Sequence, residues 1–88
     1  MVIETHPRFD KHFKKRIILN PKLTKRFRER VNIFVKDSNN PILKDHQLSG
    51  TKKHLRAFSI TGNYRVTYQR LSVNRVIFFD VGTHPQVY

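Results

Sequence analysis

The sequence predicts an α+β fold in the order β-α-α-β-β-β: a small antiparallel sheet with a helical hairpin packed on one face. Three observations support this prediction. Two consecutive segments in the first half carry apolar residues at the spacing of an amphipathic helix. From His54 onward the apolar period changes to two, which is typical of strands. Only short turns separate the apolar runs of the second half, so we expect its three strands to form an antiparallel meander.

The first half of the chain opens with a strand and a helix. Met1–Thr5 is short, apolar and β-branched, as strands are. Thr5 then supplies a capping hydroxyl and Pro7 falls in the first helical turn, a combination that favours a helix start. The apolar stripe of this helix consists of Phe9, Phe13 and Ile17.

A second helix follows the same signal, with Asn20 as the cap and Pro21 as its first residue. Only a few residues connect the two helices, which favours a hairpin. Residues 37–41 end the second helix, and residues 42–53 show neither period, so we expect a long loop there. The stripe of the second helix consists of Leu23, Phe27, Val31 and Phe34.

Three strands are predicted after this loop. The first is Leu55–Ile60, and a tight turn at residues 61–63 connects it to the second, Tyr64–Leu71. The second strand alternates, with Tyr64, Val66 and Tyr68 opposed to Arg65, Thr67 and Gln69.

The third of these strands, Arg75–Val81, follows a turn at residues 72–74. It is apolar on both faces apart from Asp80, which predicts an interior position in the sheet. Gly82 is expected to end it.

Charge is the strongest signal in the composition. The chain has 88 residues, and 18 Lys and Arg face 6 Asp and Glu, for a net charge of +12. Such a surface suits a polyanion, with nucleic acid the first expectation, an acidic protein the second and an anionic membrane the third. A basic surface that is only solvated is the plain alternative.

No cysteine is present, which excludes disulfide and thiolate metal sites. No apolar run has the length of a signal peptide or membrane span, so we expect a soluble cytoplasmic protein.

The motifs favour metal-free chemistry. The six acids are scattered, no zinc-binding histidine pair occurs, and the three isolated glycines form no phosphate loop. We therefore expect neither a metal nor another cofactor. General acid–base cleavage of RNA remains, because histidine titrates near neutral pH and the arginine fork matches phosphate oxygens.

Each candidate for that chemistry has a structural alternative. His84 would also suit an exposed loop, Arg65 a cross-strand ion pair and His46 a surface loop beside Asp45. Tyr88 could simply cover the core with its ring. The remaining histidines, which we expect at structural or surface positions, are His6, His12 and His54.

Five sequence features together resemble one protein family. They are Lys44–Gly50 (Lys-Asp-His-Gln-Leu-Ser-Gly), Arg56, Tyr64–Tyr68, Gly82–His84 (Gly-Thr-His) and the pair Val87–Tyr88. The pattern resembles the RelE/ParE superfamily of bacterial toxins, and within it the YafQ-like mRNA interferases. The resemblance covers nearly the whole chain, which implies one RelE-like domain over residues 1–88.

This resemblance implies a function. Such proteins are toxins of type II toxin–antitoxin modules that enter the ribosomal A site and cut mRNA there. Cleavage proceeds by metal-free attack of the 2′-hydroxyl on the scissile phosphate, and translation stops. The implied partners are a cognate antitoxin, mRNA in the A site and the 16S and 23S rRNA surface, with no membrane.

The resemblance also implies roles for individual residues. His84 matches the C-terminal catalytic residue, Arg65 the arginine that supports the scissile phosphate, Tyr88 the terminal aromatic and His46 the histidine of the loop. Arg56 matches a basic residue of the preceding strand. Solvation of the helix lysines is as good an interpretation as RNA contact. The expected RNA-binding residues are Lys44, Lys52, Lys53, Arg56, Lys11, Lys15 and Lys25.

Three positions depart from the YafQ-like pattern. Ser59 and Asn63 stand where that branch often has a histidine and an aspartate, and Tyr64 replaces a tryptophan. His46 is then the best remaining general base. Two other functions stay open: a ParE-like gyrase inhibitor, which needs no catalytic set, and a basic RNA-binding or ribosome-binding module without enzymatic activity.

Overall fold

The sheet has five strands in the order β1-β5-β4-β3-β2 and lies against two helices. The computed structural model describes residues 1–88. The predicted α+β fold is confirmed, but β1 returns beside β5 and runs parallel to it, so the sheet is mixed and not purely antiparallel. No helix has both the length and the apolar character needed to cross a bilayer. The elements are β1 (Val2–Thr5), α1 (Pro7–Arg16), α2 (Pro21–Lys36), β2 (His46–Gln47), β3 (Arg56–Ser59), β4 (Tyr64–Ser72), β5 (Arg75–Thr83) and α3 (His84–Val87).

The two long helices begin at their prolines, but only one cap is the predicted one. Asn20 accepts the backbone N–H of Leu23 through its side chain at 3.1 Å, as expected for an N-cap. The prediction that Thr5 caps α1 is wrong. Thr5 is still part of β1, so the cap falls to His6, whose Nδ1 accepts the N–H of Arg8 at 3.0 Å.

The main core lies between the helices and one face of the sheet, and it is rich in aromatic rings. Phe34 of α2 stacks on Phe58 with 4.8 Å between the ring centroids and meets Tyr68 edge-on at 4.9 Å. Phe13 and Phe27 join α1 to α2 at 5.0 Å. The predicted alternation of β4 is confirmed, because Val66 and Tyr68 belong to this core.

A smaller cluster covers the other face of the sheet. Leu48, Leu55 and Ala57 are buried there, with Phe79 and Tyr88 packed against them. Another difference from the sequence prediction lies beside this cluster. Residues 42–53 are not all loop, because His46–Gln47 pairs with β3 as the edge strand β2. Two 3₁₀ turns, Pro41–Leu43 and Gly50–Lys52, flank it.

Gly82 does not end β5, which continues to Thr83 and passes directly into α3. The position is nevertheless crowded by two side chains. A Cβ at Gly82 would lie 2.6 Å from Oε1 of Gln86 and 2.7 Å from the guanidinium of Arg16. That Oε1 accepts the Thr83 N–H at 2.7 Å and so closes the capping box of α3. The missing side chain therefore allows α3 to fold back closely on the strand before it.

A polar trio occupies the edge of the main core. Asp45 accepts hydrogen bonds from the Tyr68 hydroxyl and, at 2.7 Å, from Nε of Arg56. Burial, assisted by the bond to Asp45 and its negative charge, raises the pKa of Tyr68 to about 12. The neutral phenol is thus the form that the fold favours.

This shift predicts a loss of stability in alkaline solution. The folded pKa of Tyr68 exceeds the unfolded value of about 10, so its contribution is complete below pH 10 and is lost as the pH rises through 12. A shift of this size corresponds to about 2–3 kcal/mol. Urea denaturation between pH 9 and 12 should show a shallower fall in unfolding free energy for Tyr68→Phe than for the wild type. Tyr64→Phe, the control, should keep the wild-type slope. Equal slopes for all three proteins would contradict the expectation.

Candidate active site

The four residues predicted to be catalytic come from separate elements and meet beside the smaller cluster. His46 lies on the edge strand β2, and Arg65 lies near the start of β4. His84 opens α3 and Tyr88 follows it. Strand register explains the convergence, because Arg65 pairs with Gly82 just before α3 begins.

Tyr88 is the centre of this group. Its hydroxyl lies 3.2 Å from Nε2 of His46. Its ring meets the His84 ring edge-on, with 4.1 Å between centroids. Burial raises the pKa of Tyr88, and the neighbouring Arg65 guanidinium only partly offsets this effect. Tyr88 therefore remains a neutral hydrogen-bond donor at physiological pH.

The hydrogen bonds of His46 define its tautomer. Nδ1 lies 3.0 Å from the backbone carbonyl of Lys44, an oxygen that can only accept. Nδ1 must therefore carry the proton, and the neutral ring presents the lone pair of Nε2 to the Tyr88 hydroxyl. Lys44 adopts a left-handed backbone conformation with φ of 49°. His46 is thus oriented with its basic Nε2 towards the site, where it accepts from the Tyr88 hydroxyl.

Arg65 is held by acceptors of the β3–β4 hairpin. One guanidinium nitrogen donates to Oγ of Ser59 and to the Thr61 carbonyl, and another donates to the Gly62 carbonyl at 3.2 Å. Arg65 makes no ion pair with a carboxylate, unlike the structural alternative considered from sequence. These bonds use three of its five N–H groups, which leaves two for other acceptors such as the Tyr88 hydroxyl or an anion.

Ser59 was identified from sequence only as a departure from the YafQ-like pattern. It is 4% exposed and lies directly opposite Arg65 in the β3–β4 register. Its hydroxyl accepts from the guanidinium and helps to fix its plane. Period-two alternation places both residues on one face, but the cross-strand pairing could not be read from the sequence.

His84, like His46, is exposed to solvent. It is exposed at the first position of α3, and its ring nitrogens have no hydrogen-bond partner in the chain. The helix itself is fixed from its other end, where the Lys52 ammonium donates to the carbonyl oxygens of Val87 and Tyr88 at 3.1 and 3.0 Å. The imidazole is therefore positioned by Tyr88 and by the backbone, with both nitrogens open to a substrate.

The six lysines among the expected RNA-binding residues divide into three groups. Lys44 and Lys53 are exposed on either side of the edge strand, near His46. The Lys52 ammonium donates two hydrogen bonds to the end of α3 and keeps one N–H group unused. The other lysines are exposed on the long helices: Lys11 and Lys15 on α1, and Lys25 on α2.

The structure places Arg56 apart from this site. It pairs with Tyr68 and therefore lies on the helix-covered face, opposite to Arg65. Partial burial would lower the Arg56 pKa, but the hydrogen bond and charge of Asp45, together with Tyr68, raise it. Arg56 and Arg65 therefore lie on opposite faces of the sheet, and the expected contact of Arg56 with RNA stays a prediction.

Carboxylates are absent from the group around Tyr88. Asp45, Asp80, Glu4 and Glu29 form ion pairs elsewhere. No set of three His, Cys, Asp or Glu side chains is arranged to hold a metal ion. The chemistry that these side chains can supply is proton transfer by two imidazoles beside one guanidinium.

Comparison with known proteins gives a likeness of fold. No family model matches the chain, and no curated protein matches its sequence. Among solved structures, the Escherichia coli DinJ-YafQ toxin-antitoxin complex matches with a TM-score of 0.74 and 21% identity, covering 98% of this chain and 94% of the other. A metal-bound toxin from Helicobacter pylori matches with a TM-score of 0.70 and 26% identity, over 100% and 99% of the two chains.

A third structure extends the likeness to another branch. The YoeB/ParE toxin from Agrobacterium tumefaciens matches with a TM-score of 0.74 and 14% identity, over 96% of this chain and 99% of that one. The chain therefore has the RelE/ParE toxin fold in its YafQ-like form, as the sequence resemblance predicted.

Proposed function

We propose that this chain is the toxin of a type II toxin–antitoxin module and acts as a ribosome-dependent mRNA endoribonuclease. The observation that carries the proposal is the convergence of His46, Arg65 and His84 on Tyr88. The YafQ-like fold and the net charge of +12 support it. A gyrase inhibitor or a plain binding module would need no such group of proton-transfer residues.

The reaction follows from the positions of these side chains. Nε2 of His46 removes the proton of the 2′-hydroxyl, and the 2′-oxygen attacks the adjacent phosphorus. The bond from phosphorus to the 5′-oxygen breaks, and His84 in its imidazolium form protonates the departing oxygen. The products are a 2′,3′-cyclic phosphate and a free 5′-hydroxyl. Arg65 stabilises the additional negative charge of the transition state through the two N–H groups that the β3–β4 hairpin leaves unused.

Tyr88 prepares both histidines for this reaction. In the free protein its hydroxyl donates to Nε2 of His46, the nitrogen that must accept the substrate proton. When RNA binds, its 2′-hydroxyl therefore takes the place of the Tyr88 hydroxyl as the donor to Nε2 of His46. The ring of Tyr88 also holds the His84 imidazole and offers a surface on which a base can stack.

Ribosome association should depend on the lysines of the long helices. Replacing Lys11, Lys15 and Lys25 together by glutamine should weaken binding and reduce the slope of log Kd against log salt by up to about 2, because fewer counterions are released. Sedimentation of ribosomes with labelled protein at several salt concentrations measures this slope. The control replaces Lys14, Lys22 and Lys36, which are also exposed on helices. Equal losses in both variants would show that only total charge matters.

The proposed partner is an acidic antitoxin. In the DinJ-YafQ structure a protein of this fold forms a toxin-antitoxin complex. For this chain we expect a partner that folds on binding and covers the basic surface or displaces α3. A neighbouring reading frame should encode it, and its co-expression should restore growth.

Mapping mRNA 5′-ends after brief induction tests the proposed function. In-frame cuts between codon positions are expected from the wild type and should be absent with His84→Ala. DNA damage without such ends would instead favour the gyrase inhibitor. Growth at the normal rate together with intact ribosome-bound mRNA would favour a binding module without enzymatic activity.

A further inference from the structure

A basic pocket lies next to the candidate active site, and the proposed cleavage steps use none of its side chains. Its volume is about 350 Å³. Arg8, His12 and Arg16 of α1 form one wall, and Lys52 faces them. The spacing of four residues places the three α1 side chains in one line along the helix.

The only carboxylate of this pocket is already paired. Asp80 is 5% exposed, and its Oδ1 lies 2.6 Å from Nδ1 of His12 and 3.7 Å from the Arg16 guanidinium. The same oxygen accepts the backbone N–H of Val81 at 2.8 Å. Arg16 in addition donates to the Val81 carbonyl at 2.9 Å. Asp80 thus fixes the wall of the pocket and leaves an excess of positive charge.

Two cations of the pocket remain available to a ligand. Arg8 forms no ion pair, and its guanidinium lies 5.5 Å from the centre of the Phe79 ring, which holds it at the rim. Lys52 keeps one N–H group after its two bonds to the end of α3. Donors from two different elements therefore converge on one cavity, which is the arrangement that suits a phosphate group.

The pocket and the active site share α3. Lys52 and Val87 line the pocket, while Lys52 also binds the carbonyl of Tyr88. An RNA strand bound at Arg65 and Tyr88 would reach the pocket by passing over this short helix.

We propose that this pocket, through Arg8 and Lys52, binds a backbone phosphate of the RNA strand, next to the one that is cut. This inference rests on the proposed function, because it takes RNA as the substrate. It assigns to α1 a part in placing the strand that is separate from general attraction to the ribosome.

Binding of a short single-stranded RNA with 2′-O-methyl groups tests the pocket without cleavage and without ribosomes. Fluorescence anisotropy at several salt concentrations gives Kd for the wild type and for Arg8→Gln. We expect Arg8→Gln to raise Kd roughly three- to tenfold and to reduce the salt slope by about 0.7, the value for one phosphate contact on a single strand. The amide signals of Asp80 and Val81 should shift when this RNA is added to the wild type.

Arg28→Gln is the matched control, because Arg28 is an exposed arginine of α2 outside the pocket. It should leave Kd and the slope unchanged. Equal effects of the two variants, or amide signals of the pocket that do not move, would overturn the proposal. If the wild type cuts mRNA but Arg8→Gln binds the RNA normally, only the proposal for the pocket is wrong. If the wild type cuts no mRNA but Arg8→Gln weakens RNA binding as expected, the proposed nuclease function is wrong and the proposal for the pocket stands.

Discussion

Replacing His84 by alanine should lower single-turnover cleavage of ribosome-bound mRNA by roughly 10²- to 10⁴-fold, the range for loss of a general acid. The expectation follows from the exposed imidazole, whose nitrogens are open and whose ring is fixed by Tyr88. The substitution removes little buried surface, so the unfolding free energy should change by only about 0.5 kcal/mol.

His54→Ala provides the control for this experiment. His54 is also exposed, and its side chain makes no hydrogen bond. Its replacement should leave both the cleavage rate and the toxicity in cells unchanged. A folded His84→Ala protein that cleaves at the wild-type rate would remove His84 from the mechanism.

Arg65→Lys should reduce the cleavage rate by roughly 10²- to 10³-fold, because the transition state loses the hydrogen-bond donors of the guanidinium. Ribosome association should stay nearly intact. Lysine keeps the positive charge but lacks the planar fork that Ser59, Thr61 and Gly62 orient. Separate measurements of the single-turnover rate and of ribosome binding distinguish the two effects.

Arg70→Lys is the matched variant on the same strand, at an exposed position away from Tyr88. It should behave as the wild type in both measurements. If Arg65→Lys also cleaves at the wild-type rate, a point charge is sufficient and the fork has no role in the reaction.

The parts of the fold that follow from local patterns were predictable. The period of the apolar residues identified α1, α2 and the meander, and Asn20 marked the start of α2. The interior position predicted for β5 is confirmed, because it has β1 on one side and β4 on the other. In each case the information lies within a window of some ten residues.

The parts that depend on distant pairing could not be predicted in this way. The two residues of β2 form a strand only because β3 lies beside them, and α3 is too short to show a period. The register shift after Thr67, which leaves Phe79 without a partner in β4, has no sequence signature.

Prediction of the site had the same limits. The candidate residues His46, Arg65, His84 and Tyr88 do lie together, although their roles still require the experiments above. The position of Arg56 could have been recognised, since it has the same parity along β3 as the buried Phe58.

The parallel pairing of β1 with β5 has a consequence for synthesis of the protein. Residues 2–5 find their partners at residues 75–78, so the first strand must wait until almost the whole meander has been made. Contacts of such sequence separation form late, since a long loop must close first. Until β5 has left the exit tunnel, β1 has no partner and the sheet lacks that edge. The helix α3, which carries His84, is then also missing. The proposed nuclease site is therefore incomplete until β5 and α3 have both left the exit tunnel.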